Sequence, residues 1–309
     1  MRVLLILLDG VGLGADSPHT NPLAVAPMPA VRGVLEGNRL LADSAGFRGR
    51  RASLAGLDAT LGVPGIPQSG TAHATLLTGQ DAVRRFGRHY GPWVPTALRP
   101  TVVRDNVLAR ARARGRSVAF ANAYPEELAQ MVAGGLDNVS GRRLGPLRSG
   151  PPLAAIGAGA LHRHTTELAR GEAVASEITN DGWITRLRRA GLPRVSPEEA
   201  GRNLAAIAGD NDLTLFAHYT TDHVGHRGTF QDALAAIQRV DRFIAGILGA
   251  IPGDTLILVV SDHGNLEDVT RGHTSNQAMG FAVGPGHATV ADGLRDLRDV
   301  AEAVLGVVG

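Results

Sequence analysis

The sequence predicts an α/β fold: a doubly wound, mostly parallel sheet with helices on both faces and an inserted, cap-like segment. Three observations predict it. Unbroken apolar runs, Val3 to Leu8, Leu213 to Ala217 and Thr255 to Val260, lack the alternation of a half-exposed strand and suit parallel strands covered on both sides. Segments of helical period separate them, the clearest being Gln231 to Ala250 and a helix opened by Ser196-Pro197-Glu198-Glu199. Several runs also end in a carboxylate or imidazole, at the edge where such sheets bind ligands.

In chain order, Met1–Leu8 is the first strand, ending in Asp9-Gly10. An Asp there is ordinarily a turn former or helix cap, so it gains meaning only from matching groups elsewhere. Asn21 to Gly37 reads as a Pro-started helix and Arg39 to Ser44 as a short strand. The stretch from Leu61 to Gly79 is a Pro/Gly loop from which Ser69 opens a helix closed by Gly79. Ser69 there is either an N-cap or a nucleophile helped by helix amides, with Thr71 as its rival. Thr101 to Arg114 is an amphipathic helix and Ser117 to Asn122 the next strand. Beyond Glu126 the pattern dissolves into Gly- and Pro-rich pieces.

The expected division is therefore a core of residues 1–125 and 200–309 with an insertion at 126–199 near the site, whose start could fall as early as 86. After the strand at Leu213, Thr221-Asp222-His223-Val224-Gly225-His226 places Asp222 and His226 on either side of a Gly turn. The strand ending at Val260 delivers Ser261-Asp262-His263-Gly264, and His273 follows. Met279 to Val283 is a last strand before a terminal helix from Asp292.

Composition narrows the function. The 309 residues allow one large or two modest domains, 44% of them hydrophobic, as in a globular chain rather than a disordered one. The formal charge is only +2 and every cation is Arg, so a pI near 9.6 is weak grounds for nucleic-acid binding. With no cysteine, a metal site must use carboxylate, imidazole and hydroxyl ligands. The apolar opening is short and lacks a small-residue cleavage site, so the expectation is a cytoplasmic protein with no membrane partner. Asp9, Ser69, Asp222, His226, Asp262, His263 and His273 together offer enough oxygen and nitrogen donors for two divalent ions with positions left open for substrate.

As an ordered set, Asp9-Gly10, Ser69-Gly70-Thr71-Ala72-His73, Asp222-His223-Val224-Gly225-His226, Asp262-His263-Gly264 and His273-Thr274 resemble the alkaline phosphatase superfamily. The resemblance is to its cofactor-independent phosphoglycerate mutase and phosphopentomutase branch. It covers roughly the first 125 residues and the last 110, and departs from the mutases in having no lysine for the transferred phosphoryl group. It implies Asp9, Ser69, Asp262 and His263 around one metal and Asp222, His226 and His273 around the other. The ions would be Mn2+ or Zn2+, with Mg2+ a further option. The expected function is phosphoryl transfer through a phosphoserine on a small phosphorylated metabolite, as a phosphatase or phosphomutase. The alternatives are a phosphodiesterase, phosphonate or sulfate-ester hydrolase of the same superfamily, and a catalytically silent metal-binding protein. Arg84, Arg85, Arg88, His162, Arg163 and His164 are the candidate substrate contacts.

Overall fold

The computed structural model describes residues 1–132 and 142–309. Six strands form one sheet: β1 (Arg2–Leu8), β2 (Ala52–Leu57), β3 (Val118–Phe120), β4 (Leu213–His218), β5 (Thr255–Val260) and β6 (Ala278–Val283). Their spatial order is β2-β6-β5-β1-β4-β3. β1 pairs in parallel with both β4 and β5, and β3 with β4, whereas β6 runs antiparallel to both β5 and β2. The sheet is thus mostly parallel.

β1 shows why the sequence lacks alternation. Val3, Leu5 and Leu7 point into a cluster with Val300, Val304 and Leu305 of the Asp299–Val308 helix. Leu4, Ile6 and Leu8 point the other way, toward Leu204 of the Pro197–Gly209 helix and Ile237 and Phe243 of the Phe230–Leu248 helix. Both faces are buried, so every position is apolar. The Ser196 cap forms as expected, its side chain accepting from Glu199 N.

Several local expectations are corrected. Arg39 to Ser44 is not a strand: Ala42–Ser44 is a turn of 3₁₀ helix, and only Gly14 and Leu41 make an isolated bridge. The actual second strand, β2, was not anticipated, because its alanines and Gly56 carry little β propensity and its place is fixed by pairing with β6. The helix expected over Asn21–Gly37 is two pieces, Pro22–Val25 and Pro29–Val34, since each proline restarts the chain. Thr101–Arg114 likewise splits into Arg99–Arg104 and Val107–Ala113, where Asn106 caps the second piece by accepting from Ala109 N. The terminal helix starts at Asp299, and Asp292 belongs to the separate His287–Gly293 helix. Asp222 and His226 do not flank a turn; both lie on the Thr220–Arg227 helix, one turn apart on one face.

Within 126–199, the Gly150–Gly157 helix contributes Ala154 and Ala155 to the β1 cluster, and Val174 and Ile178 pack on the opposite side of the sheet. Among the described residues no helix is long and apolar enough to cross a membrane.

Candidate metal centre

Parallel strands end on a common edge, so the residues just beyond β1, β4 and β5 are neighbours. Asp9 follows β1, Asp262 and His263 follow β5, and the helix after β4 carries Asp222 and His226. Gly10 makes the turn. Its φ of +72° favours glycine, and a Cβ there would sit 2.8 Å from Asp222 Oδ1, so a side chain would force the two halves of the site apart.

The first cluster is Asp9, Asp262 and His263. His263 Nε2 lies 3.5 Å from Asp9 Oδ1 and 3.3 Å from Asp262 Oδ2, and 2.9 Å from Ser69 Oγ. Ser69 is the first residue of its helix; Gln68 holds the cap position, so the Ser69 hydroxyl is free to face His263. Asp262 Oδ1 accepts from Gly10 N at 3.2 Å. The second cluster is Asp222, His226 and His273. Asp222 Oδ1 is 3.5 Å from His226 Nε2 and 3.3 Å from His273 Nε2, and the two Nε2 atoms are 2.9 Å apart. The clusters adjoin, with the His263 and His273 rings stacked at 3.9 Å.

The far nitrogen of each imidazole decides what the near one offers. His263 Nδ1 donates to Gly264 O at 3.2 Å and His273 Nδ1 to Pro67 O at 2.9 Å. These bonds require a proton on Nδ1, so each Nε2 faces carboxylate oxygens as a lone pair that repels them unless a metal ion or a second proton lies between. The buried oxygens Asp9 Oδ1 and Asp262 Oδ2 have no hydrogen-bond donor, although such atoms are rarely left unsatisfied. Donor chemistry and burial both fit divalent ions that take oxygen and nitrogen ligands.

Electrostatics point the same way. Burial, then the carboxylates of Asp262 and Asp222, pushes Asp9 well above the usual carboxylate range, with the Ser69 hydrogen bond opposing. Burial acts on Asp262 in the same sense, but His263 and His73 outweigh it and hold that group low. Burial lowers His273, yet the Asp222 carboxylate more than compensates and the ring ends up raised.

The structure therefore brings together all seven residues expected to be ligands. The rival Thr71 is placed otherwise: its hydroxyl accepts from Tyr90 N at 3.1 Å and is wholly buried against that loop. The six candidate substrate contacts have other partners. Arg84 pairs with Asp81 and Arg85 with Gln80, and Arg88 lies over the Phe86 and Tyr90 rings. Arg163 holds the Glu172 and Phe120 carbonyls and adjoins His162, while His164 bonds Tyr124 O.

Three residues at the site were missed. His73, one helical turn after Ser69, is buried with Nε2 3.0 Å from Asp262 Oδ2; its i,i+4 spacing from Ser69 was the available signal. Asn265 donates to Asp222 Oδ1 at 2.6 Å, and Glu267 is a buried carboxylate beside it. Both sit just past Asp262-His263-Gly264, where only nearness in sequence marked them.

A 2,3-bisphosphoglycerate-independent phosphoglycerate mutase of Agrobacterium fabrum is 30% identical over 157 residues, covering 46% of this chain and 31% of that protein. The chain thus matches less than a third of that relative's length. Among solved structures, the PH0037 protein from Pyrococcus horikoshii aligns with a TM-score of 0.53 at 14% identity, covering 99% of this chain and 96% of that one. A cold-active alkaline phosphatase from the psychrophile Shewanella sp. aligns with a TM-score of 0.52 at 14% identity, covering 100% of both chains. At such identities the structures speak for the fold, which is alkaline phosphatase-like. The family model described as Metalloenzyme superfamily matches residues 1–305, nearly the whole chain, and the protein belongs to that superfamily.

Proposed function

We propose that this protein catalyses metal-dependent phosphoryl transfer on small phosphorylated substrates, with Ser69 as the nucleophile and two divalent ions held by the two clusters. Asp9, Ser69, Asp262 and His263 would hold one ion, and Asp222, His226 and His273 the other. The observation that carries this reading is the pair of Nδ1-anchored imidazoles, His263 and His273, each with Nε2 facing a carboxylate, and His263 Nε2 also within 2.9 Å of the Ser69 hydroxyl.

Bound divalent ions would supply Lewis acidity, favouring the alkoxide of Ser69 and drawing charge from the phosphoryl oxygens. The chain does the rest. The ten-residue Ser69–Thr78 helix directs its positive end at the hydroxyl, and Ser69 is only 6% exposed, so few waters compete with it. The Ser69 oxygen attacks phosphorus in line, the Oγ–P bond forms, and the ester P–O bond breaks to release the leaving alcohol. Attack on the phosphoserine by water makes a phosphatase; attack by a second hydroxyl of a retained substrate makes a mutase. Mn2+ and Zn2+ suit the ligands, with Mg2+ a further option. We further propose that the described residues within 126–199 act as an insertion over the site. Support comes from the Gly150–Gly157 helix, whose first residue lies against His73.

The test is Ser69→Ala with metal content measured in parallel, assayed on phosphomonoesters, phosphodiesters and sulfate esters with each metal. The expected result is turnover of monoesters by the wild type, none by the variant, and near-wild-type metal content in both. Activity persisting in Ser69→Ala would remove Ser69 as nucleophile, and a preference for diesters or sulfate esters would overturn the substrate class.

A further inference from the structure

Glu267 bonds to residues that neighbour the ligands of both clusters. It is 2% exposed, and a carboxylate so buried is tolerated only when donors saturate it. Four do. Oε2 accepts from Gly12 N at 2.9 Å and Asn265 N at 2.8 Å. Oε1 accepts from Asn276 Nδ2 at 3.0 Å and from the Thr274 hydroxyl. Gly12 follows the Asp9-Gly10 turn and bridges to Ala278, Thr274 adjoins His273, and Asn265 itself donates to Asp222 Oδ1. One carboxylate thus ties together the turn after β1, the turn after β5 and the loop that returns to β6.

The two clusters depend on this tie unequally. Asp9, Asp262 and His263 sit directly on the ends of β1 and β5, whose register is fixed by the parallel ladder between them. His273 has no strand beneath it; its loop is held by the bridge between Gly264 and Thr274, by Pro67 O and by Glu267. We propose that Glu267 is a positioning residue for the Asp222–His226–His273 ion specifically, setting that site's affinity without touching the ion. The inference rests on the two-ion reading above.

The experiment is calorimetric titration of metal-free protein with Mn2+, so that affinity rather than turnover is read. Wild type should take up two ions. Glu267→Ala should weaken one of them about tenfold, the lower end of what losing a direct partner of metal ligands costs, because Glu267 acts through Asn265 and Thr274, and should leave the other within about threefold. Glu267→Gln should restore both. Its carbonyl can accept from the two backbone amides, and its NH2 can donate to the Thr274 hydroxyl and to a reoriented Asn276 amide. If Glu267→Ala fails to fold, Thr274→Val, which removes one donor at the half-buried rim, should weaken the same ion alone. Equal loss of both ions, or unchanged affinities in the folded variants, would overturn the role of Glu267. A wild type that binds a single ion would instead defeat the two-ion reading, before any variant is made.

Discussion

Gly70→Ala is a small change with a large calculated consequence, because the chain passes unusually close there. A Cβ at Gly70 would lie 2.7 Å from the Tyr90 carbonyl oxygen and closer still to that of Trp93. Ordinary contacts between such atoms are about 3.5 Å, so the 90–93 loop must withdraw by about 1 Å. That loop is hydrogen-bonded to the start of the helix, Thr71 N donating to Tyr90 O at 2.9 Å and Tyr90 N to Thr71 Oγ1 at 3.1 Å. It cannot withdraw without straining these bonds or dragging Ser69 with it.

Overpacking costs about 1–3 kcal/mol, while replacing a helical Gly by Ala returns about 1 kcal/mol of propensity. The net expectation is a loss of up to about 2 kcal/mol, or a melting temperature lower by up to roughly 3 °C. Activity should suffer more than stability, since a nucleophile misplaced by about 1 Å can lose about a hundredfold in rate. Melting curves and kcat on a phosphomonoester, with metal content checked, measure both. If Gly70→Ala melts higher than wild type, as propensity alone would give, or keeps kcat within about twofold, the reasoning about this approach fails.

Two further outcomes follow from features away from the nucleophile. His218 is 1% exposed, and burial lowers it from the usual histidine range to about 4. A depressed folded value means the unfolded chain binds the extra proton. Its contribution is therefore fully present above about pH 6.5 and is lost as pH falls toward 4, on the order of 3 kcal/mol across that window. Urea unfolding from pH 7 to pH 4 should show this slope in wild type and a flatter one in His218→Gln; identical slopes would exclude His218 as its source. Removing metal with EDTA should lower the melting temperature, and Mn2+ at about a hundredfold over its Kd should restore about 2.7 kcal/mol. A melting temperature indifferent to both would speak against ions bound in the folded state.

How much of this was legible in the sequence differs by scale. Strands buried on both faces, such as Arg2–Leu8 and Thr255–Val260, announce themselves because every residue after the first is apolar. Asp9, Asp262 and His263 were legible for the same reason, since an Asp or His just after such a run is conspicuous. β2 was not, since Ala52-Ser53-Leu54-Ala55-Gly56-Leu57 becomes a strand only through its pairing with β6, and no local signal records a partner so distant. The Thr220–Arg227 helix was read as a turn because Gly225 weakens its helical pattern, although a Cβ there would lie 2.6 Å from the Asn265 side chain, giving tertiary packing the deciding voice. Glu267 was invisible because a buried brace and a surface carboxylate look alike until their donors are known.

The position of β1 has a consequence for how the chain is made. Of the six strands β1 comes first in the sequence yet lies inside the sheet, and its two flanking partners are β4 and β5, which follow only from Leu213 and Thr255 onward. Until then the segment Arg-Val-Leu-Leu-Ile-Leu-Leu has neither of its native edges covered, and such an apolar run is prone to pair with other chains. Folding dominated by these distant pairings is slow, so β1 stays without its native neighbours until the intervening chain has been made.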